Sequence, residues 1–406
     1  MLKNSSSQLD EGIKVERMIG RLQGSKNGPT LVFFAGIHGN EHAGVVALKQ
    51  VMQKLQIDET PIHGEIYAIA GNLKALEKNV RFQTEDLNRI WLPERIAAIQ
   101  SKNDECSDEE IEMLGLYNLL CEILENGEPP FYFIDLHTTS SDTLPFIVLN
   151  DSLLNRKFAS KYPMPIILGI EEYLVGALLS YINDLGYVSL GYESGQHDDP
   201  KAIENCLNFI NYTLLMSDSI SLDGKKERLL EDSIRKLAKP IQAFYEIYFQ
   251  YQISSECKFK MLPGFVNFQQ ISKGTKFAHC NETAIIANRK RQMFMPLYQN
   301  QGSEGFYFIR PISKILLWLS KKLRTFKADH LLVRLPGIRW KSGKKDTLIV
   351  DQRIARFMAK SFFHLLGYRA RQYNETHLVV KSREEASKTA EYFNTSWFMD
   401  KKRGPY

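Results

Sequence analysis

At 406 residues, with 44% apolar and 24% charged residues, the chain is long enough for two or three domains around a substantial core. No stretch approaches the roughly 18 apolar residues of a membrane-spanning helix, and Met1 to Asp10 is polar, with Ser5, Ser6 and Ser7 as a short frayed tail, so neither a helical membrane protein nor a signal peptide is expected. Five cysteines, at 106, 121, 206, 257 and 280, are scattered without a CxxC pair, which points to reduced thiols in a cytoplasmic protein, one adventitious pairing being left open.

Leu31 to Ala35 reads as a buried strand and Glu41 to Lys54 as the helix after it. The turn between them, Gly36-Ile37-His38-Gly39-Asn40-Glu41, can aim His38 and Glu41 at one point, with glycines supplying the unusual dihedrals. Phe131 to Ile134 is a second strand-like stretch, ending at Asp135-Leu136-His137. It delivers a second imidazole to the same carboxyl edge of an open α/β sheet, where such sheets bind ligands. Two imidazoles and one carboxylate form a three-ligand Zn²⁺ site with a position open for water, the layout of a catalytic zinc. His38 and Glu41 alone would be compatible with a chance pair, so the other motifs decide.

Arg81 and Asp86-Leu87-Asn88-Arg89 place two guanidinium groups and an amide on a loop. Arginine suits carboxylates and can stabilise an oxyanion, although structural loop arginines are commoner. Asp135 and His137 share a strand face, so the aspartate can orient a ligating imidazole or else cap the strand end. Glu193, in Gly191-Tyr192-Glu193-Ser194-Gly195 after the strand-like Tyr187 to Leu190, occupies a glycine-flanked turn. It fits a general base beside the metal or, read alone, a solvated turn residue. In His197-Asp198-Asp199-Pro200 the aspartate reads as a helix cap rather than a ligand. His42 and His63 read as helix-surface and turn residues.

Taken together, GIHGNE at 36–41, NLKAL at 72–76, Arg81 with DLNR at 86–89, DLHTTS at 135–140 and the Glu193 turn resemble the succinylglutamate desuccinylase/aspartoacylase family of the zinc carboxypeptidase superfamily, over roughly residues 28 to 310. The resemblance implies a zinc-carboxypeptidase-like α/β/α sandwich with a mixed sheet and one Zn²⁺ per chain, held by His38, Glu41 and His137. It also implies Glu193 as general base, Arg81 polarising the scissile carbonyl, Asn88 and Arg89 on the substrate α-carboxylate, and Asp135 orienting His38. The implied reaction is hydrolysis of the linear amide of a small N-acyl amino acid. A metallocarboxypeptidase or esterase with the same site is the alternative. One departure stands out: Glu171 to Tyr192 contains no Arg, Lys or His, where aspartoacylases place an arginine for the substrate side-chain carboxylate. The expected substrate side chain is therefore not acidic, unless a group elsewhere reads it.

Further along, Lys225 to Gln252 has helical period, with Pro240 kinking or dividing it, and Phe259 to Ile309 reads as short β segments. The resemblance makes this small β domain a wall of the substrate pocket, with Tyr307, or alternatively Tyr298, touching substrate. The expected division is 1–225 catalytic, 226–310 connecting helix and β domain, and 311–406 a basic C-terminal α/β module. Residues 311–406 carry 21 Lys and Arg against 8 Asp and Glu, leaving the first 310 residues net negative. Within them Thr347 to Val350, Gln352 to Leu366, His377 to Val380 and Glu384 to Phe393 read as strand, helix, strand, helix. Ile312 to Phe326 reads as a basic amphipathic helix, suited to an anionic surface or, alternatively, to a packed linker with its lysines in water. A homo-oligomer is compatible with the sequence. So is a different class of protein, a membrane- or nucleic-acid-binding chain with an inactive hydrolase core, although no nucleic-acid motif is present.

Overall fold

The computed structural model describes residues 12–102, 105–237, 243–343, 345–355, 360–372 and 376–400. Its strands are β1 (Met18–Gln23), β2 (Lys26–Ala35), β3 (His63–Ala70), β4 (Phe131–Thr139), β5 (Phe146–Leu149), β6 (Ile166–Leu168), β7 (Val188–Gln196), β8 (Phe244–Gln252), β9 (Phe259–Met261), β10 (Gln270–Ile271), β11 (Lys276–Cys280), β12 (Thr283–Ile286), β13 (Arg291–Phe294), β14 (Glu304–Pro311), β15 (Ile338–Trp340), β16 (Thr347–Asp351), β17 (Tyr368–Gln372) and β18 (His377–Ser382).

Eleven of these strands form one mixed sheet in the order β1-β3-β2-β4-β7-β5-β6-β8-β14-β13-β10. The parallel run β3-β2-β4-β7 lies towards one end, inside the edge strand β1. Such a strand must be apolar on both faces, and β2 is: Leu31, Phe33 and Ala35 enter one core, Val32 and Phe34 the other. The first core is closed by helices Ala43–Ile57 and Lys201–Met216, the second by Asp108–Asn126 and Leu178–Asp184. The result is an α/β arrangement with helices on both faces of a mixed sheet.

The segment 225–252 departs from the helical expectation. Gly224–Leu237 is a helix, but Phe244–Gln252 is strand β8, and Pro240 lies outside the described residues. The aromatic and β-branched content of Phe-Tyr-Glu-Ile-Tyr-Phe explains the outcome, because such residues pack well on a pleated surface. Strands β8, β14, β13 and β10 extend the central sheet, while β9, β11 and β12 form a separate three-stranded sheet. Cys257 and Cys280 form a disulfide there, the single pairing that the reduced-thiol reading left open. The antiparallel pairing of β9 with β11 sets Cys280 opposite Phe259, a closeness that a separation of 23 residues conceals. Cys106, Cys121 and Cys206 are free. No helix among the described residues is long and apolar enough to cross a membrane.

The C-terminal region holds helix Lys314–Thr325 and a four-stranded sheet β15-β16-β18-β17. Its pattern differs from the expected alternation: β15 and β17 are additional strands, and residues 384–393 contain only a short 3-10 turn, Thr389–Tyr392. Of the expected helix Gln352 to Leu366, residues 356–359 lie outside the described set and Lys360–Leu365 is helical.

Buried arginines fasten this region to the sheet. Arg324 donates to the Asp151 carboxylate at 2.9 Å and to its backbone oxygen at 2.8 Å. Arg156 pairs with the same carboxylate and Glu384 accepts from Arg324 and from the Leu153 backbone, both at 3.1 Å. Burial alone would raise the pKa of Asp151, but the charges of Arg156 and Arg324 hold it far below the usual carboxylate range. A carboxyl so depressed stabilises the fold fully above its unfolded pKa of about 4, and the contribution is lost as pH falls towards the folded value. Asp151→Asn would strand two buried guanidinium groups and should cost about 3–5 kcal/mol. Thermal unfolding at pH 7 checks this; an unchanged midpoint would mean that the cluster contributes nothing.

Candidate active site

The turn after β2 brings the first two site residues together because it is built where only glycine fits. Gly36 has a φ of +69°, and a Cβ at Gly39 would lie 2.1 Å from the backbone of Ala75. Strand β4 runs on past the expected Ile134 to Thr139 and carries Asp135 and His137, while β7 carries Glu193 opposite His137 in register. Glu193 is thus a buried strand residue rather than part of a solvated turn. The strand assignment follows from the parallel pairing of β7 with β4, which the surrounding glycines do not prevent.

His38, Glu41 and His137 offer one ligand atom each within 4.8 Å of one another, a group that could hold a metal ion. Glu41 Oε1 lies 2.8 Å from Nδ1 of His38, and Oε2 lies 2.9 Å from Nδ1 of His137. The Thr138 backbone N–H donates to Oε2 at 2.9 Å. The Nε2 atoms face away: that of His137 meets Asp135 at 2.7 Å and that of His38 meets Asp86 at 3.1 Å. Two carboxylates therefore accept from the Nε2–H groups and set both Nδ1 atoms towards Glu41, so that loss of the Nδ1 protons would leave two lone pairs in the orientation that metal-ligating histidines need. The donor set and its buried position fit a borderline cation such as Zn²⁺. Burial would raise the pKa of Glu41, yet the adjoining His38 and His137 hold it well below the usual range. For His137 burial acts downwards, and Asp135 and Glu41 outweigh it to hold the ring well above its ordinary value.

The expectation that Asp135 orients His38 is corrected by this geometry. Asp135 touches His137, two residues away on the same strand face, and Asp86 occupies the position behind His38. Asp86 was within DLNR, but its partner is 48 residues away in sequence and only the fold joins them. His42 is also corrected: it is buried at the start of helix Ala43–Ile57, its Nε2 2.8 Å from the Gly39 carbonyl.

Arg81, Asn88, Arg89, Glu193 and Tyr307 all line the cavity that contains the histidines. Arg81 lies 3.6 Å from Glu41 and donates to Asp86 at 3.0 Å. Arg89 pairs with Glu304 at 3.2 Å, and Asn88 Oδ1 accepts from the Leu178 N–H at 2.9 Å. Tyr307 is buried, its hydroxyl within 3.4 Å of Gln250, whereas Tyr298 is turned away and donates to the Leu262 carbonyl at 2.8 Å. Glu193 Oε2 has no hydrogen-bond partner. Burial and the charges of Glu41 and Asp135, opposed by His137 and Arg81, push its pKa up to about 8.

Of the other cavity residues, His197 lay in a segment that the sequence set aside as a helix cap, and the apolar ones gave no signal. His197 meets Thr138 at 2.7 Å and Gln299 at 3.2 Å, closing one side, while Asp199 accepts from the Lys201 N–H at 2.9 Å as its capping reading requires. Val148, Leu149, Ile170, Leu174 and Leu179 supply an apolar wall. Glu171 lies in the same wall and is held from behind by Arg383 at 2.9 Å.

Residues 27–199 match the succinylglutamate desuccinylase/aspartoacylase catalytic domain. The succinylglutamate desuccinylase of Pseudomonas paraeruginosa is 29% identical over 113 residues, 28% of this chain and 32% of that protein, so the chain matches about a third of the length of this relative. A succinylglutamate desuccinylase/aspartoacylase structure from Rhodobacter sphaeroides superposes with a TM-score of 0.54 at 15% identity, covering 72% of this chain and 88% of that one. A succinylglutamate desuccinylase from Chromobacterium violaceum gives 0.52 at 14% identity with the same coverage. These two structures share its fold. The likeness to the succinylglutamate desuccinylase/aspartoacylase family is thus carried by the catalytic-domain segment 27–199.

If Asp86 and Asp135 hold the imidazole tautomers, Asp86→Asn and Asp135→Asn should each weaken divalent-metal binding by about 10- to 100-fold. Titration calorimetry with Zn²⁺ measures this directly; unchanged affinity in both variants would remove the carboxylates from that role.

Proposed function

We propose that the protein is a zinc-dependent deacylase that hydrolyses the amide bond of a small N-acyl amino acid, releasing a carboxylate and a free amino acid. The observation that carries this reading is the Glu41 carboxylate set between the Nδ1 atoms of His38 and His137, with the unpartnered Glu193 carboxyl in the same cavity. A Zn²⁺ held by His38, Glu41 and His137 supplies Lewis acidity and lowers the pKa of water. Glu193 takes a proton from the attacking water and hands it to the leaving amine. Arg81 donates to the carbonyl oxygen as negative charge builds on it. Asn88, with its Oδ1 tied to Leu178, offers its Nδ2 donors, and Arg89 its guanidinium, to the substrate α-carboxylate. Tyr307 borders that carboxylate.

The substrate side chain is not acidic. Val148, Leu149, Ile170, Leu174 and Leu179 supply no charge partner, and Arg81 and Arg89 are assigned to the scissile carbonyl and the α-carboxylate. A second carboxylate buried here would lose its hydration without compensation.

Treatment with a chelator should abolish hydrolysis and Zn²⁺ should restore it. Glu193→Gln should lower kcat by about 10²- to 10⁴-fold while the protein stays folded. Because the base acts as the carboxylate, kcat/KM should rise with pH and level off; a neighbouring cation lowers the ionisation from about 8, so the acid limb lies below that pH. Across a panel of N-acetyl amino acids read by free-amine release, N-acetyl-L-methionine should exceed N-acetyl-L-aspartate by on the order of 10²-fold or more in kcat/KM. Failure on every acyl amino acid, with activity on peptides or esters, would replace the proposal by a metallocarboxypeptidase or esterase.

A further inference from the structure

Helix Lys314–Thr325 is built inside out for a packed helix. The residues it buries are Leu317, Ser320 and Arg324. Ser320 donates to the Leu365 carbonyl at 2.8 Å, and Arg324 reaches Asp151. The large apolar residues face the other way: Ile315 is 76% exposed, Trp318 55% and Phe326, just past the helix end, 75%. Positions 315, 318, 322 and 326 follow helical spacing, so they lie along one stripe. Leu316 and Leu331 are exposed as well.

Packing among the described residues does not account for the stripe, since the inner side of the helix is already filled by Leu317, Ser320 and Arg324, with Leu323 packed against the C-terminal core. Single exposed apolar residues need no explanation, but a row of large ones on one face marks an interaction surface. The charges around the row define its partner. Lys314, Lys321, Lys322 and Lys327 are all exposed beside it, and Lys322 Nζ lies 6.0 Å from the Phe326 ring. Residues 311–406 carry 21 basic against 8 acidic side chains, while the rest of the chain is net acidic. A second copy of this face would bring lysines against lysines. An anionic lipid surface instead satisfies both parts, with the apolar row entering the headgroup boundary and the lysine stems reaching up to phosphates. Tryptophan is the aromatic residue most at home at that depth.

We propose that the outward face of helix Lys314–Thr325, with Ile315, Trp318 and Phe326 as its apolar row, docks the protein reversibly on anionic membranes. The hydrolase site does not enter this inference, so each stands or falls alone.

The full-length protein is mixed with vesicles of phosphatidylcholine containing about one third phosphatidylglycerol, and with pure phosphatidylcholine vesicles, and the bound fraction is measured by flotation. Partitioning should be at least about 10-fold stronger on the anionic vesicles and fall steeply with added salt. The double substitution Ile315→Glu with Trp318→Glu, at exposed positions, should reduce it about 10-fold with an unchanged unfolding midpoint. Trp91 and Trp397 are buried and Trp340 is half-buried, so quenching of the native protein by brominated lipid should come mainly from Trp318 and fall sharply in Trp318→Phe. Absence of binding to the anionic vesicles would overturn the proposal. Equal binding by the double variant would do the same, as would a native dimer in sedimentation equilibrium that the double variant dissolves, since a second copy would then cover the face.

Discussion

One buried carboxylate organises the site. Glu41 is enclosed on a turn that only glycine backbone permits, and it is held between two imidazoles by its own charge and theirs. Taking that group out of water costs several kcal/mol unless it is fully paired, so the surrounding structure is arranged to pair it. Strand β4 supplies His137 and the Thr138 N–H, Arg81 stands nearby, and Asp86 and Asp135 steady the rings from behind. Without a cation, and against the effect of burial, the carboxylates Asp135 and Glu41 hold His137 well above its ordinary pKa. With one bound between the Nδ1 atoms, Asp86 and Asp135 would hold neutral rings in the ligating tautomer. Placing Glu193 opposite His137 on the next parallel strand adds a carboxyl whose burial favours the protonated form, a property that suits the proposed proton carrier.

The C-terminal region shows how a basic segment can divide its charge between two uses. Arg324 and Arg383 point inward onto Asp151, Glu171 and Glu172, and so brace the wall of the cavity that Glu171 lines. Lysines of the same helix that carries Arg324 point outward beside uncovered apolar rings. The two uses separate cleanly by residue type: planar guanidinium groups suit buried bidentate pairing, and long-stemmed ammonium groups suit a wet interface.

His38, Glu41 and His137 were legible as a group because the turn after one apolar strand and a second apolar strand place them at one sheet edge without reference to distant residues. Arg81, Asn88, Arg89 and Tyr307, which the family resemblance singled out, line the same cavity. What escaped the sequence depends on long-range pairing. Asp86 meets His38 only across the closed fold, and Glu304 meets Arg89 over 215 residues. Strand β8 was taken for a helix because its aromatic residues fit either period; pairing with β14 decides for the strand. The Cys257–Cys280 disulfide was hidden in the same way, as was Arg383 behind Glu171.

The most direct test of the central claim is where a zinc ion binds. Crystals grown with Zn²⁺ and measured at the zinc absorption edge should give one anomalous peak between the Nδ1 atoms of His38 and His137 and the Glu41 carboxylate. No peak at that point, or a peak held by other residues with these three still bonded to one another, would contradict the account.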